Sequence, residues 1–180
     1  MTRSVRILAI SGSLRDASSN TAVLHAAALL APEGVEIAIY KGLGSLPHFN
    51  PDLDGEPALP AVLDFRSQLK ASGGVLISSP EYAHGVPGVL KNALDWVVGS
   101  GELAGKRVAL INASPRATHA QASLAETLTV MSANLIAGAS ITLPLLGKKL
   151  DAAGIAADPE LSSTLRSAIL AFASAVASDT

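Results

Sequence analysis

Apolar residues along the chain follow two rhythms. Short, largely apolar runs at Val5–Ile10, Val35–Tyr40, Val75–Ile77, Arg107–Asn112 and Ala139–Leu143 read as strands. Between them, apolar positions recur every three or four residues, which is the helical spacing. Val23, Ala27 and Leu30 place a helix over Ser19–Ala31, closed by Pro32-Glu33-Gly34. Pro60 opens a second, with Val62, Phe65 and Leu69 on its apolar face and Gly73 at its end. Val86–Val98 and Thr118–Asn134 give two more, and Asp158-Pro159 caps a last one carrying Leu161, Leu165, Ala168 and Phe172. Strands that are apolar throughout, each followed by a helix, require a parallel sheet covered on both faces. The expectation is an α/β three-layer sandwich with five parallel strands, and a single domain over residues 1–180. Lys41–Pro60, rich in proline and glycine, is an excursion rather than an element, and long loops of this kind are often functional.

The helix at Val86–Val98 is apolar on two sides. Val89, Ala93 and Trp96 form one line, and Leu90, Leu94 and Val97 another. A helix lying on a sheet needs one of them buried by its own domain, so the second is expected to face another subunit.

Composition narrows the classes. With 49% apolar, 16% charged and only 3% aromatic residues, the core must be built from Ala, Val, Leu and Ile, and disorder is excluded. A net charge of −2 offers no basic footprint for nucleic acid and no polybasic patch for a membrane. The absence of cysteine removes disulfides, thiol catalysis and thiolate metal sites. His25, His48, His84 and His119 lack the spacing of metal ligands, so no metal is expected. Thr127–Gly147 carries no charge, but Ser132, Asn134, Gly138, Ser140 and Pro144 break it as a helix end, turn and strand would. Arg3 and Arg6 are not followed by a signal-like apolar run, and the chain is expected to be soluble and cytoplasmic.

In open parallel sheets ligands bind beyond the carboxyl ends of the strands. Three post-strand loops therefore carry the candidate chemistry. The first, Ser11–Asn20, is rich in hydroxyls and holds one cation, Arg15. Helix N-terminal N–H groups, the side chains of Ser13, Ser18, Ser19 and Asn20, and the Arg15 fork together suit a phosphate. An ordinary strand-to-helix loop with a serine N-cap has the same composition, and the loop alone does not separate the two. The second, Ser78–Gly88, sets Tyr82 and His84 among Pro80, Gly85 and Gly88, so a defined backbone conformation is specified. The third, Asn112–Thr118, runs into Thr118-His119-Ala120-Gln121, which reads as a capping box.

Absences discriminate as well. No Gly-x-Gly-x-x-Gly follows a strand, and no Gly-x-Ser-x-Gly elbow exists. Gly105-Lys106 fails as a phosphate-binding P-loop, because Ser100 stands where the first glycine belongs and Arg107 follows the lysine. A phosphate loop and a shaped aromatic loop without an acid–base constellation point to a cofactor that brings its own chemistry.

Two motifs are long enough to be specific. Gly12-Ser13-Leu14-Arg15 with Ser18-Ser19-Asn20, and the run from Pro80-Glu81-Tyr82-Ala83-His84-Gly85 to Asp95-Trp96, resemble the NADPH-dependent FMN reductase family, over about Val5 to Leu143. The resemblance implies a flavodoxin-like fold with strand order 2-1-3-4-5 and non-covalent FMN. Ser13, Arg15, Ser18, Ser19 and Asn20 would then hold the FMN phosphate. Pro80, Glu81, Tyr82 and Gly85 would line the isoalloxazine, largely through backbone contacts; Ala83 and His84 between them, and Ser114 and Arg116 of the third loop, are the further cofactor-binding candidates. It further implies NADPH or NADH as hydride donor and a small acceptor, such as a quinone, free flavin, azo compound or metal oxyanion. Because the three loops converge and nothing in the sequence supplies a separate dinucleotide fold, donor and acceptor are expected to use the flavin in turn, by ping-pong turnover. The second apolar line of the Val86–Val98 helix implies a homodimer or homotetramer. The third loop departs from the pattern: Arg116-Ala117-Thr118-His119 stands where many relatives have a glycine-rich turn. Arg116 and His119 therefore read either as contacts to the flavin or the nicotinamide phosphate, or as exposed groups beside a helix cap. A flavodoxin-type electron carrier or a flavin-binding protein is the competing class. The small net charge argues against a carrier that docks through acidic surface.

Overall fold

The computed structural model describes residues 5–178, so Arg3 lies outside the described residues. Strands β1 (Val5–Ser11), β2 (Val35–Ile39), β3 (Gly74–Ser78) and β4 (Arg107–Asn112) alternate with helices α1 (Ser19–Leu29), α2 (Pro60–Ala71), α3 (Gly88–Val98) and α4 (Thr118–Val130). The short strands β5 (Asn134–Leu135) and β6 (Ile141–Thr142), the short helix α5 (Ala152–Ala157) and the long helix α6 (Pro159–Ala177) complete the chain. The sheet is parallel throughout and ordered β2-β1-β3-β4-β5, with β6 also paired to β4. This is the flavodoxin-like order that was expected, and strand order reverses beside β1 and β3.

The fifth strand differs from the expectation. Its place is shared by β5, which pairs with Arg107 and Val108, and β6, which pairs with Ile111 and Asn112. A 3-10 turn at Ala137–Ala139 separates them, and α4 ends four residues earlier than its apolar pattern implied, leaving Asn134 to the sheet.

Alternation along the strands divides the core in two. Ile7 and Ala9 of β1 pack with Val23, Leu24, Ile169 and Phe172 under α1, α5 and α6. Leu8 and Ile10 point the other way, onto Phe65, Leu90, Trp96 and Leu124 beneath α2, α3 and α4.

The apolar line expected at a subunit interface is covered by the chain itself. Leu90, Ala93, Leu94, Trp96 and Val97 are all buried, whereas Val89 is only half-buried. The Lys41–Pro60 excursion supplies the cover. Trp96 Nε1 and Asn92 Nδ2 both donate to the Pro47 carbonyl, at 2.8 and 2.9 Å, and Phe49 N donates to Asn92 Oδ1 at 2.7 Å. Phe49 meets the Trp96 ring edge-on, with centroids 5.1 Å apart. Among the described residues no helix is long and apolar enough to cross a membrane.

Candidate cofactor site

Register brings the post-strand loops together. Ser11 of β1 lies opposite Ser78 of β3, and Ser78 opposite Ile111 of β4, so three strands end side by side. The first loop is wired by its own hydroxyls. Ser11 Oγ accepts from Ser13 N at 3.2 Å and lies 2.8 Å from Thr21 Oγ1, and Ser13 Oγ accepts from Arg15 N. Gly12 N donates to the Ser78 carbonyl, and a Cβ at Gly12 would lie 2.5 Å from Ser79 Oγ. Only glycine permits that approach of the first loop to the second. Ser18 is the N-cap of α1, its Oγ accepting from Thr21 N, and no acidic residue stands in the first turn of that helix. Buried Asn20 accepts a 2.9 Å bond from Ser78 Oγ, fixing α1 to the end of β3.

In the second loop Tyr82 and Gly85 exchange two backbone hydrogen bonds, at 3.1 and 2.9 Å. The residues between them, Ala83 and His84, have φ of 49° and 60°. A two-residue hairpin turn of this hand is ordinarily made by Asn-Gly, so Ala83 and His84 hold a conformation that side chains resist. Two contacts with α4 support it. The His84 and His119 rings stack with centroids 4.1 Å apart, and Glu81 Oε2 accepts from Ala120 N at 2.8 Å. The capping box is therefore not formed. Ala117 is the N-cap without a side-chain bond, and the carboxylate of Glu81 caps the helix from another loop.

The third loop is shaped by Asn112, only 4% exposed. Its Oδ1 accepts from Ser114 N and its Nδ2 donates to the Ala117 carbonyl, both at 3.0 Å.

These loops enclose a cavity of about 470 Å³. Of the expected residues, Ser19, Asn20, Pro80, Glu81, Ser114 and Arg116 line it together. Ser13 and Arg15 do not line it; they line a separate depression of about 380 Å³ with Asp16, Tyr40 and Lys41. Ser18 acts at the helix cap, and Tyr82, Ala83, His84 and Gly85 form the hairpin, with Tyr82 about half exposed. Sequence reasoning missed one wall altogether. Leu145–Lys149, the segment after β6, supplies a further stretch of the cavity lining. The signal for it was the strand itself, since every strand end in such a sheet faces the same side.

Comparisons with known proteins bear on the family and the fold. The family model described as NADPH-dependent FMN reductase matches residues 5–144. An NAD(P)H-dependent FMN reductase of Pseudomonas aeruginosa is 33% identical over 159 residues, which is 86% of this chain and 85% of that protein. A quinone reductase of Escherichia coli is 32% identical over 117 residues, covering 63% of this chain and 62% of the other. Among solved structures, the flavoenzyme NAD(P)H:(acceptor) oxidoreductase FerB from Paracoccus denitrificans superposes with a TM-score of 0.81. It is 29% identical, with 97% of this chain and 98% of that one covered.

Proposed function

This chain belongs to the NADPH-dependent FMN reductase family, and from that premise we propose that its post-strand loops hold FMN between a nicotinamide donor and a small oxidised acceptor. As a member, the protein is an NAD(P)H-dependent oxidoreductase that uses FMN. The observation that carries the proposal is the convergence of the first, second and third loops on one cavity.

The donor set fits the cofactor. The start of α1 offers N–H groups with no acidic residue in its first turn, and Ser13, Ser18, Ser19 and Asn20 add polar groups. Arg15 supplies a fixed positive charge for the phosphate. Backbone groups of Pro80 to Gly85 and of Ser114 suit the polar edge of a flat ring, and Arg116 lies at the same cavity. When bound, FMN supplies the redox chemistry, taking hydride from NAD(P)H and returning electrons to the acceptor. The protein's own part is positioning. Glu81, His84 and His119 fix the hairpin against α4, and Asn112 fixes the turn facing it.

Because the first, second and third loops share one cavity, donor and acceptor are expected to occupy it in turn. Steady-state kinetics should give parallel double-reciprocal lines, with excess acceptor competing against NAD(P)H. Intersecting lines would require both substrates bound together and would overturn this part of the reading. A quinone is the acceptor class to assay first, given the relatives. Assembly as a homodimer or homotetramer is proposed on the groove between α3 and α4, where Val98 and Val130 are 60% and 75% exposed.

A further inference from the structure

NADH and NADPH differ by one phosphate, so preferring the second requires cations where that phosphate lies. Three cationic side chains line the cavity: Arg116 from the third loop, and Lys148 and Lys149 from the segment after β6. The acidic side chain among the lining residues, Glu81, is engaged with the backbone of α4. The lysines are carried on a built turn. Lys148 N donates to the Leu145 carbonyl at 2.9 Å, with Gly147 at φ 78°, the left-handed position that a type II turn reserves for glycine. Leu143 and Leu145, 1% and 3% exposed, anchor the segment in the core. Lys148 leans toward Asp158 at 3.9 Å, a carboxylate that also caps α6. Lys149 is exposed and makes no ion pair among the described residues.

We propose that the Gly147 turn forms a subsite for the 2′-phosphate of NADPH, with Lys149 as its principal cation and Lys148 and Arg116 beside it. The inference rests on the reading of the cavity as the site of FMN and donor. A phosphomonoester is shared by NADPH and by FMN itself, so the test must separate the two sources. Lys149 is on an exposed turn, and its replacement leaves the core untouched.

The experiment is calorimetric titration of the FMN-loaded protein with adenosine 2′,5′-bisphosphate and with AMP, which lacks the 2′-phosphate. The wild type should bind the bisphosphate about tenfold or more tightly, as charge-assisted contacts allow. Lys149→Ala should remove most of that ratio, Lys149→Arg should restore it, and rising salt should erode it. A wild-type ratio near one, or a ratio that survives in Lys149→Ala, overturns the subsite. A parallel titration of the apoprotein with FMN and riboflavin tests the other source. If Lys149→Ala weakens FMN and spares riboflavin, the lysine serves the flavin phosphate and the inference fails. Should FMN not bind, or bind without losing its oxidised absorbance on adding NADPH, the underlying reading falls first and takes this subsite with it.

Discussion

Arg15 and Tyr40 line one depression but answer to different physics. Arg15 is exposed and its role is electrostatic. Arg15→Ala should weaken FMN binding by about 1.5–3 kcal/mol, the worth of a charge-assisted bond, while riboflavin titrated in parallel should bind as before. Equal losses for both flavins would show that Arg15 does not meet the phosphate. Burial, followed by the Asp64 carboxylate beside it, pushes the Tyr40 phenol from 10.0 up to about 12. A pKa raised on folding means that the folded chain holds this proton more tightly than the unfolded one. Its contribution is complete below pH 10 and is lost as pH rises through about 12. Denaturant unfolding across that window should show stability falling, and Tyr40→Phe should flatten the fall. At this scale the sequence was legible where a residue acts through its neighbours in the chain, as in the serine N-cap at Ser18, whereas the bond from Ser78 to Asn20 joins positions far apart in sequence. The sequence was silent on the bond that Glu81 accepts from Ala120 N, because nothing local marks a contact between a loop and the start of a distant helix.

Helix α4 shows the same limit one level up. Thr118-His119-Ala120-Gln121 has the letters of a capping box, yet the chain enters the helix at Ala117 with φ −84° and ψ 67°, and Glu81 takes the free N–H instead. Glu81→Ala should therefore destabilise the fold by about 0.5–2 kcal/mol, the usual worth of a cap. It should also weaken FMN and riboflavin alike, because it loosens the ring side of the site and leaves the phosphate side intact. A loss confined to FMN would contradict that assignment. Helix α3 was read correctly as a helix and incorrectly as an interface. Periodicity shows which faces are apolar but not what covers them, and the cover here is a proline-rich excursion with no periodicity of its own. Trp96→Asp should accordingly unfold the chain, placing an unpaired charge in a fully buried position, rather than release folded protomers. Circular dichroism with sedimentation distinguishes the outcomes, and a folded Trp96→Asp monomer from an oligomeric wild type would restore the interface reading. The split fifth strand had no sequence signal either, since two-residue strands fall below the length at which periodicity can be read.

For the whole molecule, unbroken apolar strands alternating with helices were enough to specify a covered parallel sheet, and that sheet fixes where function lies. All its strand ends face one side, and the loops there meet in a cavity without any residue having to signal its distant neighbours. The Leu145–Lys149 wall was overlooked because the strand preceding it was read and its loop was not. The central claim is that this cavity holds an FMN that NADPH reduces and a small acceptor reoxidises. Anaerobic titration of the FMN-loaded protein, followed by its absorbance, tests it most directly. The account expects the oxidised-flavin band to disappear in proportion to added NADPH and to return on adding a quinone. A protein that retains no flavin, or whose bound flavin keeps its absorbance in excess NADPH, would contradict it.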